Sequence, residues 1–282
     1  MKNYRTIQIK TKRGFILDAF EGDSITQEIQ KKGEYDANTL DSLSEVLAAI
    51  QPQTSLDVGA NIGNHTLLIS CFSKYLIAFE PVKFIFEVLQ KNLMQNEIEN
   101  ATAVNYGLSN EQSNREIFIP DNGNLGSSSI EAIEGAGELL QIGTVIGDNY
   151  LQQNHGDAKI DFIKMDVEGH EAAALLGLEN TIQKNQPLLL LEWKSPKTIA
   201  LFKEFDLLNK LFAGYSFYSL SYTNNKKVHP NNLAGYLKRI YYRFFEKKWC
   251  LSDFDPKKSY SNVYFVPERY QPAFRRFIYL QH

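Results

Sequence analysis

The stretch Thr54-Ser-Leu-Asp-Val-Gly-Ala-Asn-Ile-Gly63 constrains this chain more than any other. Ser55 to Val58 is short and bounded by Pro52 and Gly59, the pattern of a buried parallel strand. Gly59 and Gly63 permit a tight turn and a close approach of backbone to a ligand. Asn64-His65-Thr66 then opens the apolar run Leu67-Leu68-Ile69, which starts a helix. Strand, glycine turn and helix together predict the first unit of a nucleotide-binding α/β domain.

Charge narrows the ligand. A dinucleotide fingerprint, G-x-G-x-x-G, seats a pyrophosphate on backbone N–H groups at this turn. Here the glycines are spaced G-x-x-x-G, with Asn61 in place of the second glycine, and Asp57 sits where strand meets loop. A carboxylate there repels a pyrophosphate and suits an ammonium or sulfonium, as S-adenosylmethionine carries. Glu80 follows 23 residues later, at the end of the next predicted strand, where an acid can hydrogen-bond both ribose hydroxyls.

The rest of the chain extends the pattern. Residues 5–20 read as a hairpin around Gly14, and 38–50 as an amphipathic helix stopped by Pro52. Strands are expected at 54–58, 75–79, 101–106, 115–119, 160–165, 187–192, 214–220 and 262–266, with helices at 64–73, 82–96, from about 169, and at 196–213. Residues 121–129 read as a loop rich in Gly, Ser and Asn. Strands alternating with helices argue for a doubly wound, mostly parallel sheet. The expected organisation is an N-terminal hairpin extension (1–35), a core (36–222), an insertion (223–261), then a last core strand and tail (262–282).

A hydrophobic fraction of 43% over 282 residues supports a globular core without disulfides. Cys71 and Cys250 lie far apart without metal-ligand spacing and read as reduced thiols. No apolar run approaches the ~18 residues of a membrane span, and no signal-peptide stretch follows Met1, so the expected compartment is the cytoplasm. Charge is uneven. Residues 226–282 hold 12 Lys+Arg against 4 Asp+Glu, a net +8, which leaves −11 for the remainder. The stretch 223–261 is also aromatic, with Tyr236, Tyr241, Tyr242, Phe244, Phe245 and Trp249. It reads either as an acceptor-binding lid or as a solvated, self-packed one. A basic aromatic patch also suits nucleic acid, but the acidic remainder weakens long-range attraction, and none is expected.

In such sheets ligands sit beyond the carboxyl ends of the strands. The polar residues there are Asp57, Glu80, Tyr106 with Gly107, Asp166 with Glu168, and Glu192. Asp166-Val-Glu-Gly-His-Glu171 puts three carboxylates and a histidine directly after a strand. Strand alternation sends Lys164 and Asp166 to one face, Ile163 and Met165 to the other.

The combination Leu56-Asp-Val-Gly-Ala-Asn-Ile-Gly63, Ala78-Phe-Glu-Pro81 and Asp161-Phe-Ile-Lys-Met-Asp-Val-Glu-Gly-His-Glu171 resembles the FkbM family of S-adenosylmethionine-dependent methyltransferases. Leu190-Leu-Glu192 and Asn262-Val-Tyr-Phe-Val-Pro267 are similar to that family's later strands. The resemblance implies a class I methyltransferase fold of seven strands, the last antiparallel, and methyl transfer, typically to a hydroxyl of a sugar, glycan or natural product. It also implies that Asp57, Gly59, Ala60, Asn61 and Gly63 hold the methionine moiety, Glu80 the ribose, and Gly107 and Leu108 the adenine side, with Asp166 on the donor's edge. An alcohol acceptor needs a base. Asp166 or Glu168 is expected in that role, with His170 a weaker candidate and His65 read as structural. No metal is assigned, although Asp166 and Glu192 with a further oxygen form an alternative divalent site. The acceptor is expected to be a small molecule or glycan, anionic or lipid-linked forms included. Competing readings are a nucleotide-dependent oxidoreductase, a non-catalytic module of the same fold, and a protein or nucleic-acid methyltransferase.

Overall fold

The computed structural model describes residues 4–120, 137–222 and 249–278. In chain order the elements are β1 (Thr6–Lys10), β2 (Ile16–Phe20), α1 (Ser24–Lys32), α2 (Ala37–Ile50), β3 (Thr54–Val58), α3 (Asn64–Ser70), β4 (Tyr75–Phe79), α4 (Lys83–Gln95), β5 (Ala101–Val104), β6 (Gly107–Ser109), β7 (Ser113–Pro120), β8 (Gly137–Ile146), α5 (Gly147–His155), β9 (Ile160–Met165), α6 (Glu171–Leu176), α7 (Glu179–Asn185), β10 (Leu188–Trp193), α8 (Pro196–Glu204), α9 (Leu207–Leu211), β11 (Tyr215–Tyr222), β12 (Trp249–Asp253) and β13 (Tyr260–Pro267).

The central sheet runs β5-β4-β3-β9-β10-β13-β11-β12. Strands β5, β4, β3, β9 and β10 pair in parallel. β13 is antiparallel to both β10 and β11. The chain leaves β3 toward β4 and β5, then returns on the other side through β9, so strand order reverses between β3 and β9. That reversal opens a crevice at the strands' carboxyl ends. The sheet beneath it is apolar for a simple reason. β9 and β10 are covered on both faces by helices, so nearly every residue of Ile160–Met165 and Leu188–Trp193 is buried. Each of the leucines Leu188–Leu191 contributes about 1.5–3 kcal/mol by that burial.

A buried amide on α4 helps fasten the N-terminal hairpin. Asn92 on α4 accepts from Asp18 N (2.7 Å) and donates to Asp18 O (3.0 Å) and Ile62 O (2.7 Å). It therefore ties the hairpin to the glycine turn after β3. A second, three-stranded sheet, β6-β8-β7, places Ile117, Ile119 and Ile142 in one apolar cluster with Leu17 and Ala19 of β2 and Ile85 and Leu89 of α4, and brings β6 to the crevice.

Several expectations need correction. The main sheet has eight strands, not seven. The additional edge strand is Trp249–Asp253, from the end of the stretch read as an insertion. Its Leu251 is fully buried, and β12 pairs with β11, so this piece belongs to the core. Residues 223–248, with most of the basic aromatic run, lie outside the described residues, as does the loop at 121–129. The strand expected at 101–106 ends at Val104, and Gly107–Ser109, beyond it, forms a strand of the second sheet. The helix expected at 196–213 breaks at Asp206, whose left-handed φ of +48° cannot continue a helix. β8 and α5 carry no expectation from the sequence. Both cysteines are free thiols, and no helix among the described residues is long and apolar enough to cross a membrane.

Candidate active site

The turn after β3 forms one wall of the crevice. Gly59 and Gly63 have φ of +82° and +95°, and Asn61 joins them at +50°. The N–H groups of Gly59 and Ala60 both donate to Phe79 O on β4, at 3.0 Å. Glu80, at the end of β4, closes the loop. Its carboxylate accepts from Asn61 N (3.0 Å) and Val82 N (2.9 Å). Burial pushes the Glu80 carboxyl up to about 7 in spite of those two bonds. Gly59, Ala60, Asn61, Glu80, Gly107 and Leu108 line one cleft, which encloses about 1340 Å³ with its open mouth included. Gly63 and Asp57 do not line it. Asp57 is 0% exposed. Thr66 Oγ1 donates to its Oδ2 at 2.7 Å, and Lys164 Nζ stands 3.7 Å from its Oδ1.

The opposite wall is acidic. Asp166, Glu168 and Glu192, at the ends of β9 and β10, line the cleft, each with an oxygen within 4.8 Å of the others'. This is an oxygen set that a divalent cation could bridge. Glu168 holds φ +50°, a costly conformation for a residue with a side chain. Glu171 props the loop up from below. Its Oε1 accepts from Val167 N and Gly169 N, and its Oε2 from the Thr198 hydroxyl on α8. The helix expected from Gly169 starts at Glu171 instead, because Gly169 sits at φ +98°. Burial and the Asp166 charge push the Glu168 carboxyl up to about 7. Glu192, buried among the same acids, is pushed higher still.

These raised values carry a sign. A carboxyl that titrates higher folded than unfolded stabilises the fold at low pH, and the contribution fades as pH rises from about 4.5 through the folded value. Glu192→Gln removes that loss. We expect the variant to melt a few degrees above wild type at pH 8 and within about a degree of it at pH 5, since ~1 kcal/mol moves Tm by about 2–4 °C in a chain of this size. A lower Tm for the variant at pH 8 contradicts the assignment.

His170 lines the cleft but is turned away from the acids. Its Nε2 lies 3.1 Å from Ser109 Oγ on β6. Burial, followed by the charges of Arg115 and Lys197, pushes it down to about 4.

Sequence reading missed two contributors. Lys164, 3% exposed, lines the cleft between the walls, 3.7 Å from Asp57 and 3.6 Å from Asp166. Burial alone lowers an ammonium's pKa, but Asp166, Asp57, Glu192 and Asp36 outweigh it and hold Lys164 above its usual value. The signal was present in the shared strand face of Lys164 and Asp166. The second is the corner between α1 and α2, where Tyr35 lines the cleft beside Asn64 and His65. No local pattern marks Tyr35, because it reaches the site through a long-range contact.

A family model for the methyltransferase FkbM domain matches residues 57–217, more than half of the chain. The chain belongs to the FkbM methyltransferase family. Its antiparallel β13 between β10 and β11, with the parallel strands beyond, is the class I methyltransferase arrangement plus one edge strand. Over 127 residues the FkbM chain is 32% identical to a hexuronic acid methyltransferase, AglP, of Haloferax volcanii. That match covers 45% of this chain and 50% of the relative, so the alignment spans about half the relative's length. Among solved structures, a methyltransferase FkbM from Methylobacillus flagellatus KT aligns with TM-score 0.46 and 18% identity, over 77% of this chain and 44% of that one. An rRNA methylase from Streptococcus thermophilus aligns with TM-score 0.41 and 12% identity, over 82% and 95%.

Proposed function

We propose that this chain transfers a methyl group from S-adenosylmethionine to a hydroxyl of a sugar or glycan. The observation that carries the reading is the pairing, across one cleft, of a glycine loop with an acidic loop. The two are in contact at Gly59, where an added Cβ would lie 1.8 Å from Asp166 O. Backbone at Gly59, Ala60 and Asn61 would cradle the methionine end of the donor, with Gly63 shaping the turn from behind. Glu80 would accept from the ribose, since each of its oxygens keeps a second lone pair. Gly107 and Leu108, with Val82 and Ile85, offer the apolar surface an adenine needs. Asp57 would act through the loop, holding it by way of Thr66 and Lys164. When bound, the donor supplies a methyl already activated by its sulfonium.

The chain must then align the acceptor oxygen and take its proton. A new O–CH₃ bond forms, the C–S bond breaks, and the proton passes to the base. Glu168 suits that task, because a carboxyl near 7 is matched to neutral pH. Asp166 would position the acceptor beside it. His170, engaged with Ser109, would border the adenine side. The sugar acceptor draws support from the relative that acts on hexuronic acid.

A second reading follows from the spacing of Asp166, Glu168 and Glu192. A divalent cation held there would bind the acceptor's oxygens and lower the hydroxyl's pKa.

Incubation of methyl-labelled donor with neutral sugars, uronic acids and glycan precursors tests the function. Label should pass to one of these classes. Glu168→Gln should lower kcat by about 10²–10⁴-fold with donor affinity retained, and Asp166→Asn should raise the acceptor's KM. Near-normal turnover in both variants removes this assignment, and loss of turnover after exhaustive EDTA treatment favours the metal.

A further inference from the structure

The proposed donor has two charges at its amino-acid end, and the cleft provides unevenly for them. An ammonium meets several carboxyl groups: Glu80, Asp166, Glu168 and Glu192 line the cleft. Cationic partners for a carboxylate are fewer. Among the described residues that line the cleft, Lys164 is held between Asp57 and Asp166, and Lys194 is exposed and stands 3.9 Å from Glu192. His170 is engaged with Ser109.

His65 remains. It lies two residues beyond Gly63, lines the cleft, and is 9% exposed. Its Nε2 is sealed from solvent without a hydrogen bond, 3.5 Å from Asp36 Oδ2. Asp36 is not at the cleft surface. It stands 3.5 Å from the ring nitrogen, and its carboxyl is held below the usual carboxylate range. Burial opposes ionisation, but the neighbouring His65, with bonds from Thr39, outweighs it. An imidazole ring has two nitrogens, each able to carry an N–H donor. One serves Asp36 and the other is left for a ligand.

We propose that His65, held by Asp36, receives the carboxylate at the amino-acid end of the donor, an inference that rests on the reading of the donor as S-adenosylmethionine. His65 makes the contact. Asp36 is a positioning residue: it stands at Nε2 and fixes the ring, so that the other ring nitrogen is left for the donor carboxylate.

Calorimetry with two probes tests this. S-adenosylhomocysteine carries the amino-acid end, and 5′-methylthioadenosine lacks it. In wild type the first should bind more tightly than the second. His65→Asn should weaken S-adenosylhomocysteine by about 10- to 100-fold, the range of a hydrogen bond to a charged group, and leave 5′-methylthioadenosine within about 2-fold. Asp36→Asn should weaken S-adenosylhomocysteine less and spare 5′-methylthioadenosine. An unchanged ratio of the two affinities in His65→Asn overturns the proposal, and so does an equal loss of both ligands, which marks a structural histidine. If neither probe binds wild type, the donor reading falls first and takes this inference with it. The 5′-methylthioadenosine arm reports whether each variant is folded at the site.

Discussion

Gly59→Ala is expected to abolish binding of S-adenosylhomocysteine, by 100-fold or more, and to lower Tm by about 10 °C. Two costs add. Gly59 sits at φ +82°, which costs a residue with a Cβ about 1–2 kcal/mol. The new carbon would then lie 1.8 Å from Asp166 O and 2.9 Å from Asp166 C. Those are backbone atoms at the end of β9, so no side chain can swing clear. Relief requires the glycine loop and the acidic loop to part, at about 1–3 kcal/mol of overpacking. Together these come to about 2–5 kcal/mol, and ~1 kcal/mol is worth about 2–4 °C here. The separation also moves the two walls that would hold the donor and acceptor. Gly63→Ala provides the comparison. Its φ is as unfavourable, but the added Cβ meets Leu89 Cδ1 at 2.8 Å, the tip of a flexible side chain. It should cost about half as much and leave measurable affinity. Wild-type affinity in Gly59→Ala contradicts the close contact of the two loops.

Lys164→Met is expected to destabilise the fold by about 3–5 kcal/mol, the usual result of removing one partner of a buried ion pair. Asp57 is fully buried, and its Oδ1 has no hydrogen bond, so Lys164 at 3.7 Å is the charge that offsets it. The two residues face each other across β3 and β9 in the sheet register. Asp57→Asn in the Lys164→Met background removes the stranded charge as well. The double variant should recover at least half of the lost stability, because replacing both partners is often close to neutral. Urea unfolding of the four proteins in this cycle gives the coupling directly. A Lys164→Met variant within 1 kcal/mol of wild type shows that Asp57 is not carried as a buried anion.

Much of this architecture is written in contiguous residues. The run Leu188–Leu191 after Pro187 suits a buried strand, and Gly59 and Gly63 mark a turn with positive φ. Asp166, Glu168 and Glu192 were legible as a site because an acid at a strand's carboxyl end is poorly explained by packing. Strand periodicity, turn chemistry and the family motifs are all short-range properties, so they survive in one sequence. What the tertiary structure decided is how separate elements meet. Asp57, read as a surface for the donor's ammonium, lies behind the cleft wall, because β9 presents Lys164 directly opposite it. His170 lies within the same six residues as Asp166, yet at the N-cap of α6 it meets Ser109. Tyr35, Asp36 and His65 meet only because α2 packs on α3. The eighth strand comes from a stretch whose charge resembled a lid. Burial and charge pairing depend on neighbours distant in the chain, and those neighbours set which carboxyl is ionised and which is poised near neutrality.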